Sequence, residues 1–253
     1  MRLKGKNAIV TGGAKGIGEA IVRIFLQEGA NVLIADMAEE GAVLADKLNE
    51  IGQGRCVFCR TDVTVPENVK NAVSTAADIF GGIDILINDA GTVERDTLLE
   101  DMPEEVWFKV LNVNLNGAFL CTKYALPYLR ESRGCVVSMS STSGLVATRN
   151  DPAYCASKTG IIGMTRSVAC DYGKFGVRAN AVCPTICETP LFNSYINSFT
   201  PEEKKEKMER LGGPGGRPCT CEEIARTVLF LASSEASYVS GTAVTVDGGY
   251  CIV

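Results

Sequence analysis

Residues 7 to 36 constrain this chain more than any other stretch, reading as a strand, a glycine loop, a helix and a second strand. Ala8-Ile9-Val10 is an unbroken apolar run ending at Thr11, and a strand without polar alternation needs cover on both faces. From Gly16 the apolar spacing changes to steps of three and four, which sets Ile17, Ala20, Ile21, Ile24 and Phe25 along one side of a helix. Val32-Leu33-Ile34-Ala35 is a second apolar strand, ending on Asp36. Two such strands joined through a helix commit the chain to an α/β layer with a parallel sheet.

Between strand and helix lies Gly12-Gly13-Ala14-Lys15-Gly16-Ile17-Gly18. A turn this poor in side chains lets backbone pass close to a pyrophosphate, whose charge then faces the N–H groups and dipole of the helix N-terminus. Asp36 lies where an acidic side chain accepts hydrogen bonds from an adenosine ribose. The spacing, Gly-x3-Gly-x-Gly, departs from the Gly-x-Gly-x2-Gly of the usual dinucleotide fingerprint.

The alternation of strand and helix continues downstream. An amphipathic helix is predicted from Ala38 to Gly52, a third strand from Val57 to Val63, and a helix from Pro66 to Phe80 that Gly81-Gly82 breaks. A fourth strand, Ile83 to Ile87, runs into Asn88-Asp89-Ala90-Gly91. Helical spacing persists from Pro103 to Ser132, with Pro127 expected to bend its last turns. The fifth strand is Cys135 to Met139, followed by the polar loop Ser140 to Gly144 and a helix from Pro152 to Tyr172. Strand six, Val177 to Cys183, meets Pro184; a last helix covers Cys221 to Ala232 and a last strand Ala243 to Val246. Residues 185 to 219, rich in Gly, Pro and charge, read as a substrate lid carrying a short helix. No internal repeat or linker divides the pattern, so residues 1–253 are expected to form one domain.

A net charge of -5 and a pI near 5.0 argue against a nucleic-acid footprint, which clusters Lys and Arg. No apolar run is long enough for a membrane span, and the N-terminus leads into the first strand without a secretory h-region, so a cytoplasmic location is expected. The chain has no His, which excludes a His-based triad and a His-ligated metal; no metal is expected. Its 11 Cys cannot all pair within one chain. Cys56-x2-Cys59 falls in a strand, where residues three apart point to opposite faces, and Cys219-x-Cys221 lacks a second pair at zinc-ribbon spacing. The cysteines read as small hydrophobic or surface residues.

Tyr154 and Lys158 stand four apart on a predicted helix and so rise from one face. A phenol titrates too high to be an efficient acid/base at neutral pH, and a nearby ammonium favours its ionised form. Ser141 follows the fifth strand, at the edge where open α/β sheets carry ligand-binding groups.

These residues, in order, resemble the short-chain dehydrogenase/reductase family. The likeness rests on Thr11-Gly12-x3-Gly16-x-Gly18, Asn88-Asp89-Ala90-Gly91, Asn112-Val113-Asn114-Leu115, Ser141 and Tyr154-x3-Lys158, and extends from Gly5 to Gly249. Two departures are visible: Asp89 where the family has a second Asn, and Thr185 where it has a Gly after Pro184. The resemblance implies a single-domain, Rossmann-like, doubly wound parallel sheet of about seven strands with helices on both faces. It implies that Tyr154 is the general acid/base, that Lys158 lowers its pKa and holds the nicotinamide ribose, that Ser141 bonds the substrate oxygen, and that Asn114 keeps a water in a proton relay, with Asn112 as the fallback. It assigns cofactor contacts to Gly12, Lys15, Gly16, Ile17, Gly18 and Asp36. Asp62 and Val63 would flank the adenine, Asn88 and Ala90 the ribose and phosphates, and Thr185, Ile186 and Thr189 the carboxamide.

The expected reaction is interconversion of a secondary alcohol and a ketone by hydride transfer, on a sugar or polyol, a hydroxysteroid or a small hydroxy compound. NAD is the expected cofactor, because Asp36 would repel a 2′-phosphate more than Lys15 would attract it. A 3-oxoacyl-carrier-protein reductase is the alternative, and a non-catalytic NAD-binding sensor a further one. Family likeness and the long 103–132 helix lead to an expected homotetramer or dimer, with the apolar tail Tyr250-Cys251-Ile252-Val253 at an interface. Arg95, Arg149 and Asn150 are polar residues in the segments expected to set specificity.

Overall fold

The apolar strands sort their side chains alternately onto two cores, one on each face of a parallel sheet. In the computed structural model, residues 1–51, 53–94, 96–211, 214 and 216–252 are described. Seven strands run in chain order: β1 Asn7–Thr11, β2 Asn31–Asp36, β3 Cys56–Arg60, β4 Ile85–Asn88, β5 Cys135–Met139, β6 Arg178–Pro184 and β7 Ala243–Val246. All pairings are parallel and the spatial order is β3-β2-β1-β4-β5-β6-β7. The order reverses between β1 and β4, which opens a crevice beyond their carboxyl ends.

The helices are α1 Gly16–Gln27, α2 Glu40–Ile51, α3 Pro66–Phe80, α4 Glu104–Leu111, α5 Gly117–Ser132, α6 Pro152–Tyr172, α7 Pro190–Ile196, α8 Pro201–Leu211 and α9 Cys221–Ala232. Ala8 and Val10 of β1 face Ile21 and Phe25 of α1, Leu44 of α2 and Val228 of α9 in one core. Ile9, between them, faces Val69 and Val73 of α3 and Leu126 and Leu129 of α5 in the other. Cys56 and Cys59 divide the same way, so the Cys-x2-Cys pair is split by the sheet. Fully burying one such Leu, Ile or Phe side chain contributes about 1.5–3 kcal/mol.

Three differences from the sequence pattern have local causes. β3 ends at Arg60 rather than Val63, because the Asp62 carboxylate accepts from the N–H and hydroxyl of Thr64 and turns the chain. The long helix is not one regular helix: a π turn, Asn112–Asn116, separates α4 from α5, whereas α5 continues through Pro127 to Ser132. The lid segment carries two helices, α7 and α8, rather than one. The predicted end of α2 at Gly52 lies outside the described residues, as do Arg95 and Val253.

Candidate active site

A cleft of about 460 Å³ lies over the carboxyl ends of the strands, lined by the glycine loop, the ends of β2 to β6, and the lid. Its floor exists because two glycines have no side chain. A Cβ on Gly18 would stand 2.2 Å from the Gly12 carbonyl oxygen, so α1 packs on the loop only with Gly there. Gly16 adopts φ +61, and a Cβ on it would stand 3.3 Å from Thr189 at the start of the lid. The residue before α1, Lys15, makes no side-chain cap, and Gly16 and Ile17 of the first turn line the cleft.

Asp36 is held where the spacing predicted. Its carboxylate accepts from the N–H groups of Ala14 at 3.0 Å and Ala38 at 2.9 Å, which fixes it against the loop with one edge toward the cleft. Lys15 turns away to Glu40, with Nζ and Oε1 2.9 Å apart. The pair is exposed and contributes little to stability, but it commits the loop's one ammonium to a carboxylate.

On the other side of the cleft stand Ser141, Tyr154 and Lys158, all three lining it. Ser141 is only 8 % exposed and its hydroxyl accepts from the Ser143 N–H at 3.1 Å. Lys158 is buried; its Nζ donates to the Met139 carbonyl at 2.9 Å and lies 5.5 Å from the Tyr154 ring centre. Burial lowers the ammonium's pKa to about 8, against the attraction of Asp89 and Cys183. Burial pushes Tyr154 up to about 12, opposed by the Ser141 hydroxyl and reinforced by the negative charges of Asp151 and Glu94. Tyr154 is therefore a phenol here, with a proton to give.

Asn114, the buried member of the π turn, stands behind the cleft rather than lining it. Its amide accepts from the Thr92 N–H at 2.7 Å and donates to the Thr92 carbonyl at 2.9 Å and the Ser157 hydroxyl at 3.1 Å. Asn112, the fallback, is exposed and bonded to Asn116. A Cβ on Gly91 would stand 3.5 Å from the Asn114 amide oxygen and 3.7 Å from Lys158 Nζ, so this glycine keeps a gap between them.

Other predicted cofactor contacts divide. Gly12, Lys15, Gly16, Ile17, Asp36, Asp62, Val63, Ala90, Thr185, Ile186 and Thr189 line the cleft. Gly18 does not, being packed on Gly12 beneath it. Asn88 does not either: it is the last residue of β4 and points into the sheet, donating to the hydroxyls of Thr122 at 3.0 Å and Ser138 at 3.1 Å. Alternation along β4 already turns this position toward α5.

Three residues in the site escaped the sequence reading. Asp89, noted only as a departure, lines the cleft and accepts from the Gly18 N–H; burial pushes its carboxyl from the ordinary 3.8 up to about 7, against the pull of Lys158. Glu94 is 4 % exposed, and its carboxylate accepts from the Tyr154 N–H at 3.0 Å, steadying the first turn of α6. Tyr195 of α7 donates to the Asp96 carboxylate and ties the lid to the loop after β4. None of the three has a local spacing signal, because each partner is remote in sequence.

The cradle fits a dinucleotide. It offers a glycine loop leading into the first turn of α1 for a pyrophosphate, a fixed carboxylate at the end of β2 for a ribose, and an open path to Ser141 and Tyr154. Comparison with known proteins agrees. Residues 12–251 match the family model described as enoyl-(acyl carrier protein) reductase. The chain is 39 % identical to the 3-oxoacyl-[acyl-carrier-protein] reductase of Thermotoga maritima over 254 residues, covering 100 % of both. It is 36 % identical to the meso-2,3-butanediol dehydrogenase of Serratia marcescens, covering 98 % of this chain and 96 % of that one. The crystal structure of levodione reductase superposes with a TM-score of 0.95 at 32 % identity, with 100 % of each chain covered. The chain thus belongs to the short-chain dehydrogenase/reductase family, oxidoreductases that work with a nicotinamide cofactor.

Proposed function

We propose that this protein is an NAD-dependent oxidoreductase that interconverts a secondary alcohol and a ketone, with Tyr154 as general acid/base. The observation that carries the cofactor choice is Asp36, locked by the Ala14 and Ala38 N–H groups at the ribose end of the cleft while Lys15 is engaged by Glu40. A carboxylate there accepts from two ribose hydroxyls and repels a 2′-phosphate.

When bound, the nicotinamide carries the hydride. The chain's own residues do the rest. Ser141 donates to the substrate oxygen and stabilises the charge that develops on it. In ketone reduction the Tyr154 hydroxyl gives its proton to that oxygen, and in alcohol oxidation the phenolate takes it back. Lys158, held by the Met139 carbonyl, offers its remaining protons to the ribose and its charge to the phenolate. Asn114 braces the loop at Thr92, and the gap beside Gly91 gives a water room between Asn114 and Lys158 to carry the proton onward. Residues 185–219, with α7 tied down by Tyr195 and Asp96, act as the lid.

The substrate class stays at a sugar or polyol, a hydroxysteroid or a small hydroxy compound. The second reading, a 3-oxoacyl-carrier-protein reductase, is favoured by the full-length likeness to the Thermotoga enzyme. NAD reduction across a panel of polyols, sugars, hydroxysteroids and hydroxy acids tests the first reading; NADPH-dependent reduction of a 3-oxoacyl thioester, with no turnover on that panel, supports the second. A homotetramer or dimer fits the exposed Phe108 of α4 and Phe119 of α5, and a monomer in light scattering at micromolar concentration would exclude it. No described helix is long and apolar enough to cross a membrane.

A further inference from the structure

Two thiols at the base of the lid take no part in this chemistry. The Cys187 and Cys221 sulfurs lie 3.5 Å apart, within sulfur hydrogen-bonding range. The backbone brings them together: the Cys219 N–H donates to the Ile186 carbonyl at 2.8 Å, and residues 187 and 219 form a parallel bridge. Cys219, bridged to Cys187 through the backbone, turns its own sulfur toward the Thr220 carbonyl and the Glu223 carboxylate instead. Cys187 lines the cleft just past Thr185 and Ile186, while Cys221 opens α9 and is partly exposed. Among the described residues, no group of three or more His, Cys, Asp or Glu is placed to hold a metal.

We propose that Cys187 and Cys221 form an oxidisable dithiol, a modification site for small hydroperoxides that couples the lid base to the cofactor cleft. Their shared hydrogen bond holds Cys221 below the usual thiol range and, with burial, pushes Cys187 up. Cys221, partly exposed where Cys187 is buried, is the sulfur a hydroperoxide reaches and so the attacking one. Its thiolate bonds to one peroxide oxygen as the O–O bond breaks, and the other oxygen leaves with a proton as water or an alcohol, giving a sulfenic acid. The Cys187 sulfur then attacks the Cys221 sulfur, and the hydroxyl departs with the Cys187 proton as water. Two thiols lose two electrons, and one peroxide gains them. Closing the pair from 3.5 Å to a bond of about 2.05 Å draws Cys187 toward α9 and so shifts the cleft wall.

The test treats the purified protein with hydrogen peroxide, maps disulfides by peptide mass spectrometry after alkylation, and titrates NADH by fluorescence before and after. The expected result is one Cys187–Cys221 disulfide, reversed by dithiothreitol, with several-fold weaker NADH binding in the oxidised form. Cys221→Ser should keep the untreated activity and show no peroxide-dependent loss of binding. A disulfide between other cysteines, sulfinic acid at Cys221 without a disulfide, or unchanged NADH affinity once the bond has formed would overturn the proposal. The disulfide map does not depend on which cofactor or substrate the enzyme uses.

Discussion

Replacing Asp89 with Asn should stabilise the protein at alkaline pH and leave it unchanged in acid. Asp89 lines the cleft, accepts from the Gly18 N–H and titrates near 7 instead of 3.8, chiefly through burial. Its folded-state pKa is thus above its unfolded value. The folded protein holds a proton that the unfolded chain has released, so stability is full below about pH 4 and is lost as pH rises toward 7. A shift of about three units corresponds to about 4 kcal/mol at most. The cleft is open to water, which screens the charge, so about half of that, about 2 kcal/mol, is a reasonable expectation. Asn keeps an acceptor for the Gly18 N–H and removes the ionisation. For a chain of this size, a gain of about 2 kcal/mol raises Tm by about 4–8 °C. Thermal unfolding of both proteins at pH 4 and pH 8 checks it. Equal Tm differences at the two pH values, or a less stable Asn variant at pH 8, would refute the reasoning. Losing Asp89's attraction should also lower the Lys158 pKa further.

Three further outcomes follow from the geometry. Asp36→Ala removes the repulsion of a 2′-phosphate and frees the Ala14 and Ala38 N–H groups; the NADP-to-NAD ratio of kcat/KM should rise at least about tenfold, equivalent to about 1.4 kcal/mol. Alcohol oxidation should accelerate about tenfold per pH unit while the Tyr154 phenolate is scarce, because the buried phenol titrates near 12; a flat kcat/KM profile between neutral and alkaline pH would exclude it as the base. Thr220→Ala breaks the capping box with Glu223 at the start of α9 and should cost about 1 kcal/mol in urea unfolding.

Much of the molecule was legible because a parallel sheet writes itself plainly. Strands buried on both faces are unbroken apolar runs, and the ends of α3, α6 and α9 fall where Pro, Gly and polar residues stop the periodicity. The grouping of Ser141, Tyr154 and Lys158 followed from ordered motifs, since strand ends and one helix face converge at the switch point. What stayed hidden is what periodicity does not encode. The π turn adds a residue to one turn without disturbing the apolar spacing, so Asn114 looked like part of a regular helix. The acidity of Tyr154 depends on burial among Asp151, Glu94 and Ser141, which the Tyr–Lys spacing does not report. Cys187 and Cys221 meet only because the lid's two ends return to one place.

The central claim is that Tyr154 moves the proton in a nicotinamide-dependent redox reaction. The most direct measurement compares wild type with Tyr154→Phe, reading kcat for the best alcohol substrate beside the dissociation constant for NADH. The expected result is a loss of kcat of about 10²-fold or more with NADH binding little changed, since the ring still fills its place on α6. Turnover that survives the substitution would contradict the account and leave the cleft to a non-catalytic, nucleotide-sensing role or to a different acid.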